Sequence, residues 1–258
     1  MKTQFAIAGG LAFVLAGSAF GQIATVNGSG NVAGNGNTGF GDVIGNGSMD
    51  ITTMGDGTVT LSINRASGQF FNNIAIYIDS DNGATGVANT SALTDVADGN
   101  RRILSGGADA ETANLGFAAG FAADRGIAVE GGFAGMFDLV NDPTNYGFVA
   151  SVGDTLPSDS SIPSVVLSFN MSDLGLAAGD SFRLLVTYGN AFDGPSFNNY
   201  FRADEFIGVD GASVAGGNPG FNDVQLGDND FILVNSIPTP GAAALLGLAG
   251  IAGFRRKR

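Results

Sequence analysis

The stretch SMDITTMGDGTVTLSIN, residues 48–64, decides the fold. Polar and apolar residues alternate in both of its halves, and in the second half Val59, Leu61 and Ile63 share one face. A period of two is typical of a half-buried β-strand. The four residues 54–57 between the halves (MGDG) have turn chemistry. We therefore predict a β-hairpin with strands at Ser48–Thr53 and Thr58–Asn64.

Similar strand-like runs, separated by Gly-rich turns, continue along the chain. The further predicted strands lie at residues 73–79, 102–104, 115–121, 126–130, 133–140, 146–152, 164–170, 181–188 and 230–234. One helical turn is predicted at 171–178, capped by Ser172 or Asp173, and residues 189–220 are expected to be irregular. No segment has a sustained apolar period of 3.6 residues.

We therefore expect an all-β protein, a two-sheet antiparallel sandwich of the jelly-roll kind, with a β-helix as the alternative. An N-terminal signal helix and a short C-terminal apolar helix would flank it. The predicted domains are a signal peptide at 1–21, a Gly/Asn-rich segment at 22–47, the sandwich at 48–236 and a tail at 237–258.

The N-terminal segment has the layout of a secretory signal peptide. Lys2 precedes an uncharged run that ends in small residues, and cleavage is expected between Gly21 and Gln22. This pattern predicts export through a Sec translocon and processing by signal peptidase. A buried N-terminal helix is the alternative interpretation.

The composition excludes several kinds of chemistry. The chain contains no His, no Cys and no Trp, so it cannot itself supply a Ser-His-Asp triad, a Cys-His pair or a His- or Cys-ligated zinc site. Between residues 22 and 236, six arginines stand against all 24 acidic residues, a net charge of −18. Such an acidic body repels a phosphate backbone, so no nucleic-acid partner is expected.

The tail, IPTPGAAALLGLAGIAGFRRKR at 237–258, combines a proline box, an apolar segment and a terminal basic cluster. It resembles the bacterial PEP-CTERM sorting signal. The matching positions are Pro238, Thr239, Pro240, Gly241, Arg255, Arg256, Lys257 and Arg258. Thr239 stands where that family usually has Glu. The resemblance implies recognition by an exosortase-type membrane peptidase and a location in the cell envelope or outside the cell.

The length of the apolar segment agrees with a sorting signal. Fourteen residues, 241–254, span about 21 Å as a helix, which is short of the roughly 30 Å of a hydrocarbon core. Such a segment suits transient membrane insertion with the cations on the cytoplasmic side. A permanent tail anchor is the alternative.

Two stretches of the body, GDGTVTLSIN at 55–64 and NIAIYIDSDNGATG at 73–86, resemble exported β-sandwich modules of the DOMON-like and family 9-like carbohydrate-binding kind. The resemblance implies a sandwich and a binding role. It transfers no ligand residues, because His and Trp are absent.

Asp79, Asp81 and Gly83 form the strongest candidate site. Carboxylates at alternate positions before a glycine can converge on one hard cation, so the pattern predicts a Ca²⁺ site. A simple turn without metal is the alternative, since Thr90 stands where a twelve-residue calcium loop would end with an acid.

Three other sets of residues are weaker candidates. Solvated loop charge is the favoured interpretation of Asn222, Asp223, Asp228 and Asp230. Asp204 and Glu205 lie on opposite faces of any strand, which does not suit glycosidic acid/base chemistry. Core packing is favoured over a ligand loop for Phe192, Phe197, Tyr200, Phe201 and Phe206.

The sequence therefore predicts an exported, exosortase-sorted β-sandwich with a structural or adhesive role and no enzymatic activity. A carbohydrate-binding module assisted by calcium, with extracellular polysaccharide as its partner, is the alternative. A carboxylate-dependent glycoside hydrolase is the third hypothesis.

Overall fold

The computed structural model describes residues 22–23, 31–34, 36, 41–106, 114–156, 161–191, 201–209, 223–236 and 238. The strands are β1 (Gln22–Ile23), β2 (Asn31–Ala33), β3 (Ser48–Thr53), β4 (Thr58–Asn64), β5 (Asn73–Asp79), β6 (Leu115–Gly116), β7 (Arg125–Glu130), β8 (Phe133–Asp138), β9 (Gly147–Ser151), β10 (Ser164–Asn170), β11 (Ser181–Ala191), β12 (Phe201–Ile207), β13 (Val224–Gln225) and β14 (Ile232–Asn235). The short helix α1 spans Gly99–Ile103, and 3-10 turns lie at Thr90–Ala92 and Met171–Leu174.

A five-stranded sheet is built on the predicted hairpin. Its order is β1-β3-β4-β10, with β2 also paired to β3. The hairpin prediction is confirmed, with both strands at the predicted bounds. Val59, Leu61 and Ile63 are fully buried, while the residues between them are half-buried. The expected alternation therefore places one face of this sheet on the core.

A seven-stranded sheet packs against it. Its order is β12-β11-β5-β7-β8-β9. Strand β14 pairs with the first part of β11, at residues 181–184, and β12 pairs with the last part, at residues 186–191. All of its ladders are antiparallel. The predicted all-β antiparallel sandwich is thus confirmed.

The large sheet is buried on both faces. Toward the small sheet, Ile74, Ile76 and Ile78 of β5 join the main core cluster. On the outer face, Ala75 and Tyr77 of the same strand belong to a second cluster. This second cluster is covered by α1, by the loops around β6 and by the chain near β13. Strand β5 therefore lies at the centre of the molecule.

The two sheets are tied together along both sides. On one side, an isolated bridge joins Gly34, next to β2, to Ile207 in β12. On the other, the chain leaving β9 runs beside β10, where the Asp154 amide donates to the Val166 carbonyl at 3.0 Å. Strands β1 and β2 come from the Gly/Asn-rich segment 22–47, so part of that segment belongs to the small sheet.

Four local predictions were wrong or incomplete. Residues 102–104 lie in and just after α1 rather than in a strand, because Asp98 caps a helix by accepting from the Arg101 amide. Of residues 115–121, only Leu115–Gly116 form a strand. Residues 189–220 contain the end of β11 and all of β12. The helical turn predicted at 171–178 is shorter, Met171–Leu174; its N-cap is Asn170, and nearby Asp173 completes the capping box by accepting from the Asn170 amide at 2.8 Å.

The predicted signal helix and C-terminal apolar helix lie outside the described residues. In the part of the chain that the structure describes, no helix is long and apolar enough to span a membrane.

Candidate metal centre

The site begins where β5 ends. Asp79 is the last residue of the strand, and the chain then turns through Asn82 (φ 60°) and Gly83 (φ 76°). Asn and Gly are the residues that most readily adopt this left-handed conformation. The Asp79 carboxylate stabilises the turn by accepting from the Gly83 amide at 2.8 Å. The carboxylate of Asp81 accepts from the amides of Ala84 and Thr85, both at 2.9 Å.

A third carboxylate reaches this turn through the antiparallel register of β5 and β7. Ile78 is paired with Arg125, so Asp124, just before β7, lies beside the end of β5. Its amide donates to the Ile78 carbonyl at 2.9 Å. Its Oδ2 accepts from the Ser80 amide at 2.9 Å and from the Ser80 hydroxyl at 2.7 Å. Asp124 is thereby held against the turn.

Asp79, Asp81 and Asp124 form a cluster that could bind a metal ion. One carboxylate oxygen from each lies within 4.8 Å of the others. Two calcium ligands at 2.3–2.6 Å from one ion can be at most about 5 Å apart, so these oxygens can share one ion. Asp79 and Asp124 are 0% and 1% exposed, and Asp81 is half-buried.

Two arginines partly neutralise the cluster. The Arg183 guanidinium lies 3.3 Å from Asp79 Oδ2 and also donates to the Gly120 carbonyl at 2.6 Å. The Arg125 guanidinium lies 3.9 Å from Asp124 Oδ1. Within the described residues, that buried Oδ1 accepts no hydrogen bond. It is therefore the cluster's most available oxygen for a cation, which would compensate for its burial.

The carboxyl groups of Asp81 and Asp124 differ in their pKa values. Burial raises the pKa of Asp124, and the Ser80 hydrogen bonds and the Arg125 charge offset this only in part. Burial also acts to raise the pKa of Asp81, but hydrogen bonds from Thr85 and Ala84 outweigh it, so that pKa lies below its usual value. Asp124 is thus the member of this pair that a bound cation would help most to ionise.

The structure brings together two of the three residues predicted for the site. Asp79 and Asp81 are members of the cluster, and Gly83 lies in the same turn. Its Cα has no room for a side chain, since an added Cβ would lie 2.6 Å from the Gly120 carbonyl oxygen. The glycine therefore permits the turn.

Asp124 was missed because it lies 45 residues from Asp79 in a stretch with no metal-binding motif. The signal that could have found it is strand pairing, since Asp79 ends β5, Asp124 immediately precedes β7, and the two antiparallel strands bring these ends together.

The other candidate residues do not converge on this cluster. Asp223 accepts from the Asn114 amide at 2.8 Å and so links the residue before β13 to the residue before β6. Buried Asp230 accepts from the Gly227 amide at 2.6 Å and so organises its own loop. Phe206 is fully buried in the second core cluster, as expected. Asn222, Phe192, Phe197 and Tyr200 lie outside the described residues, and so do the side chains of Phe201 and Asp204.

Glu205 has a structural role that its sequence neighbours did not indicate. It is fully buried, and its Oε2 accepts from the amides of Ile44 and Gly45, the latter at 2.8 Å. The carboxylate therefore ties β12 to the loop before β3.

Most of the predicted sorting motif and cleavage site lies outside the described residues. Of the tail, only Pro238 is described, and it is exposed and packs close to Gly179. Gln22, the first residue after the predicted cleavage, begins β1 and pairs with Thr53.

Comparisons with known proteins find no matching family model, no matching curated protein and no matching solved structure.

Proposed function

We propose that the chain is an exported β-sandwich protein with a structural or adhesive role at the cell surface or in the extracellular matrix, and that Ca²⁺ bound by Asp79, Asp81 and Asp124 stabilises it. The convergence of these three carboxylates is the observation that carries the calcium part of the proposal, and the sequence patterns at the two ends support export. Oxygen-only ligands suit a hard cation, and their spacing suits the 2.3–2.6 Å bonds of calcium.

The electrostatics favour a site of modest affinity. Three carboxylates are countered by two nearby arginines, Arg125 and Arg183. Calcium sites in extracellular modules have dissociation constants of roughly 10⁻⁴–10⁻³ M, in keeping with the calcium available outside cells. A weak site of this kind would fill after export and strengthen the junction between β5 and β7.

The two ends of the sequence support export. The signal-like segment 1–21 and the PEP-CTERM-like tail 237–258 flank an acidic body without cysteine. In this proposal signal peptidase and an exosortase-type peptidase process the chain, which is briefly held in the membrane by its tail. Intact mass of the mature protein tests both cleavages. Unchanged cell fractionation after Pro238→Ala combined with Pro240→Ala would count against sorting through the proline box.

Thermal unfolding with and without calcium tests the metal site. At a concentration one hundred times the dissociation constant, a single site adds about 2.7 kcal/mol to stability, or roughly 5–10 °C in Tm for a domain of this size. Asp124→Asn should abolish the calcium-dependent shift. Asp142→Asn is the matched control, because Asp142 also accepts from a hydroxyl and an amide, those of Thr144, but lies outside the cluster.

The result that would overturn the calcium proposal is a wild-type Tm that does not change between EGTA and 10 mM calcium, a concentration roughly tenfold above the weakest expected dissociation constant. An equal shift in the Asp124→Asn variant would also overturn it, because binding would then lie elsewhere.

Carbohydrate binding is the second candidate function. It is favoured by a cleft on the outer face of the large sheet, lined by Phe133, Phe137 and Phe148 together with polar side chains.

A further inference from the structure

A cleft of about 480 Å³ lies where β8 and β9 meet the covering layer. Its aromatic wall consists of Phe133 and Phe137 from β8 and Phe148 from β9, with Tyr146 beside them. Phe148 is 57% exposed, whereas Phe137 is buried. The volume is within the range of small-molecule sites in proteins.

The three rings form one surface. The ring centroids of Phe133 and Phe148 are 6.1 Å apart, those of Phe137 and Phe148 are 6.0 Å apart, and those of Phe133 and Phe137 are 6.4 Å apart. These separations are typical of aromatic rings in contact. The partly exposed Phe148 ring is therefore held in place by its contacts with the Phe133 and Phe137 rings.

Gly135 makes this arrangement possible. It lies between Phe133 and Phe137 on the same face of β8. An added Cβ would lie 2.5 Å from the Phe133 ring and 3.3 Å from the Phe148 ring. The missing side chain lets both rings lie close over the strand backbone. Tyr146, which also lines the cleft, is held in place through its hydroxyl, 2.6 Å from the Ser105 hydroxyl.

The polar side of the cleft comes from the start of α1. Asn100 donates its amide to Glu130 at 2.7 Å, which fixes the orientation of the amide plane. The Arg101 guanidinium is held by Asp98 at 2.9 Å and by Asp95 at 3.3 Å. Asp98, Asn100 and Arg101 all line the cleft. Planar polar groups thus line the same cleft as the aromatic rings.

This combination suits a pyranose ring. The C–H groups of a sugar face carry slight positive charge and pack on the negative face of an aromatic ring. Sugar hydroxyls can bond in pairs to planar amide, carboxylate and guanidinium groups. The charges that line the cleft, Asp98 and Arg101, are paired with each other. The net charge of −13 for the whole chain repels acidic polymers.

We infer that the cleft between Phe148 and the start of α1 binds sugar units of a neutral polysaccharide. This inference rests on the proposed adhesive role and supplies its ligand class. Phe148 and Phe133 provide the stacking surface, Asn100 and Arg101 provide hydrogen-bond donors at its edge, and the Asp98 carboxylate provides an acceptor. The site does not include the Asp79–Asp81–Asp124 cluster.

Affinity electrophoresis of the protein through gels containing a soluble neutral β-glucan, a soluble chitin derivative or anionic alginate tests this assignment. The wild type should be retarded by a neutral polymer and not by alginate. Phe148→Ala should weaken retardation about tenfold, because it removes the exposed stacking ring. Phe71→Ala is the matched control, since Phe71 is 73% exposed but does not line the cleft.

Several results would overturn the inference. These are no retardation by any neutral polymer, equal retardation by alginate, or equal losses in the Phe148→Ala and Phe71→Ala variants. Concentration-dependent self-association that Phe148→Ala abolishes would instead assign the cleft to a second copy of the chain. The calcium-dependent Tm shift measured on the same samples separates this outcome from failure of the proposed metal site.

Discussion

Replacing Glu205 measures how strongly one buried carboxylate holds the loop before β3. Its Oε2 accepts from the amides of Ile44 and Gly45. Glu205→Ala leaves both amides without this partner, at a cost of about 1–3 kcal/mol for each buried group. Glu205→Gln retains an oxygen that can accept both bonds. Because both variants remove the negative charge, their difference in stability reports the unpaired amides together with the cavity that truncation leaves.

We expect Glu205→Ala to be about 2–6 kcal/mol less stable than Glu205→Gln, with the cavity left by truncation acting in the same direction. Urea unfolding of the two variants at pH 7 measures this difference. A difference below about 1 kcal/mol would refute the reasoning, because two orphaned buried amides cannot cost so little.

The pH dependence of the wild type gives an independent check. Burial raises the pKa of Glu205 above its ordinary value of 4.5, and the bonds from Gly45 and Ile44 offset this only in part. The folded state therefore holds this proton more tightly than the unfolded chain. The stabilisation that comes from this tighter proton binding is complete below pH 4.5 and is lost as pH rises through the folded-state pKa of Glu205. The stability of the wild type relative to Glu205→Gln should fall over that window. A relative stability that rises with pH would contradict the assignment.

Two further variants test the turn and loop around β5. Gly83→Ala should destabilise the protein by about 1–3 kcal/mol in urea unfolding. Gly132→Ala is the control and should cost less. Both glycines have positive φ, but only at Gly83 would an added Cβ meet a neighbouring backbone atom. Equal losses would refute the close approach. Tyr188→Phe should cost about 1–3 kcal/mol and speed hydrogen exchange at the Phe71 and Asn72 amides, which both donate to the Tyr188 hydroxyl at 2.8 Å. Unchanged exchange at both amides would show that the hydroxyl does not hold this loop.

The strands most visible in the sequence are those with one face on the core. In β4, apolar residues alternate with Thr and Ser, so the side-chain period reports burial directly. The same rule places Ile74, Ile76 and Ile78 of β5 inward. It did not indicate that Ala75 and Tyr77 are also buried, because the layer over the outer face comes from segments distant in sequence.

Local sequence patterns do not predict the structure where tertiary contacts decide it. Arg102 and Leu104 are compatible with a strand, but Asp98 caps a helix there. Strand β12 was overlooked within a Gly-, Asn- and Phe-rich stretch, although it pairs with β11 over most of its length. The strand conformation of β12 comes from its pairing with β11 rather than from its own residue pattern.

For the same reason, the sequence predicts only two of the three carboxylates in the candidate metal centre. Asp79 and Asp81 are neighbours in the chain, so their spacing is visible in the sequence. Asp124 joins them because Ile78 pairs with Arg125, and no local pattern encodes that register. The aromatic cleft likewise requires the pairing of β8 with β9, which brings Phe137 opposite Phe148.

The bridges between the two sheets have a consequence for crowding at a surface. Exposed strand edges let neighbouring molecules join by backbone pairing, which is a route to aggregation. Here Gly34 pairs with Ile207 on one side, and Asp154 pairs with Val166 on the other. Backbone groups that could recruit another molecule at these positions are already bonded within the sandwich. Many copies can therefore lie side by side with less risk of fusing into a continuous sheet.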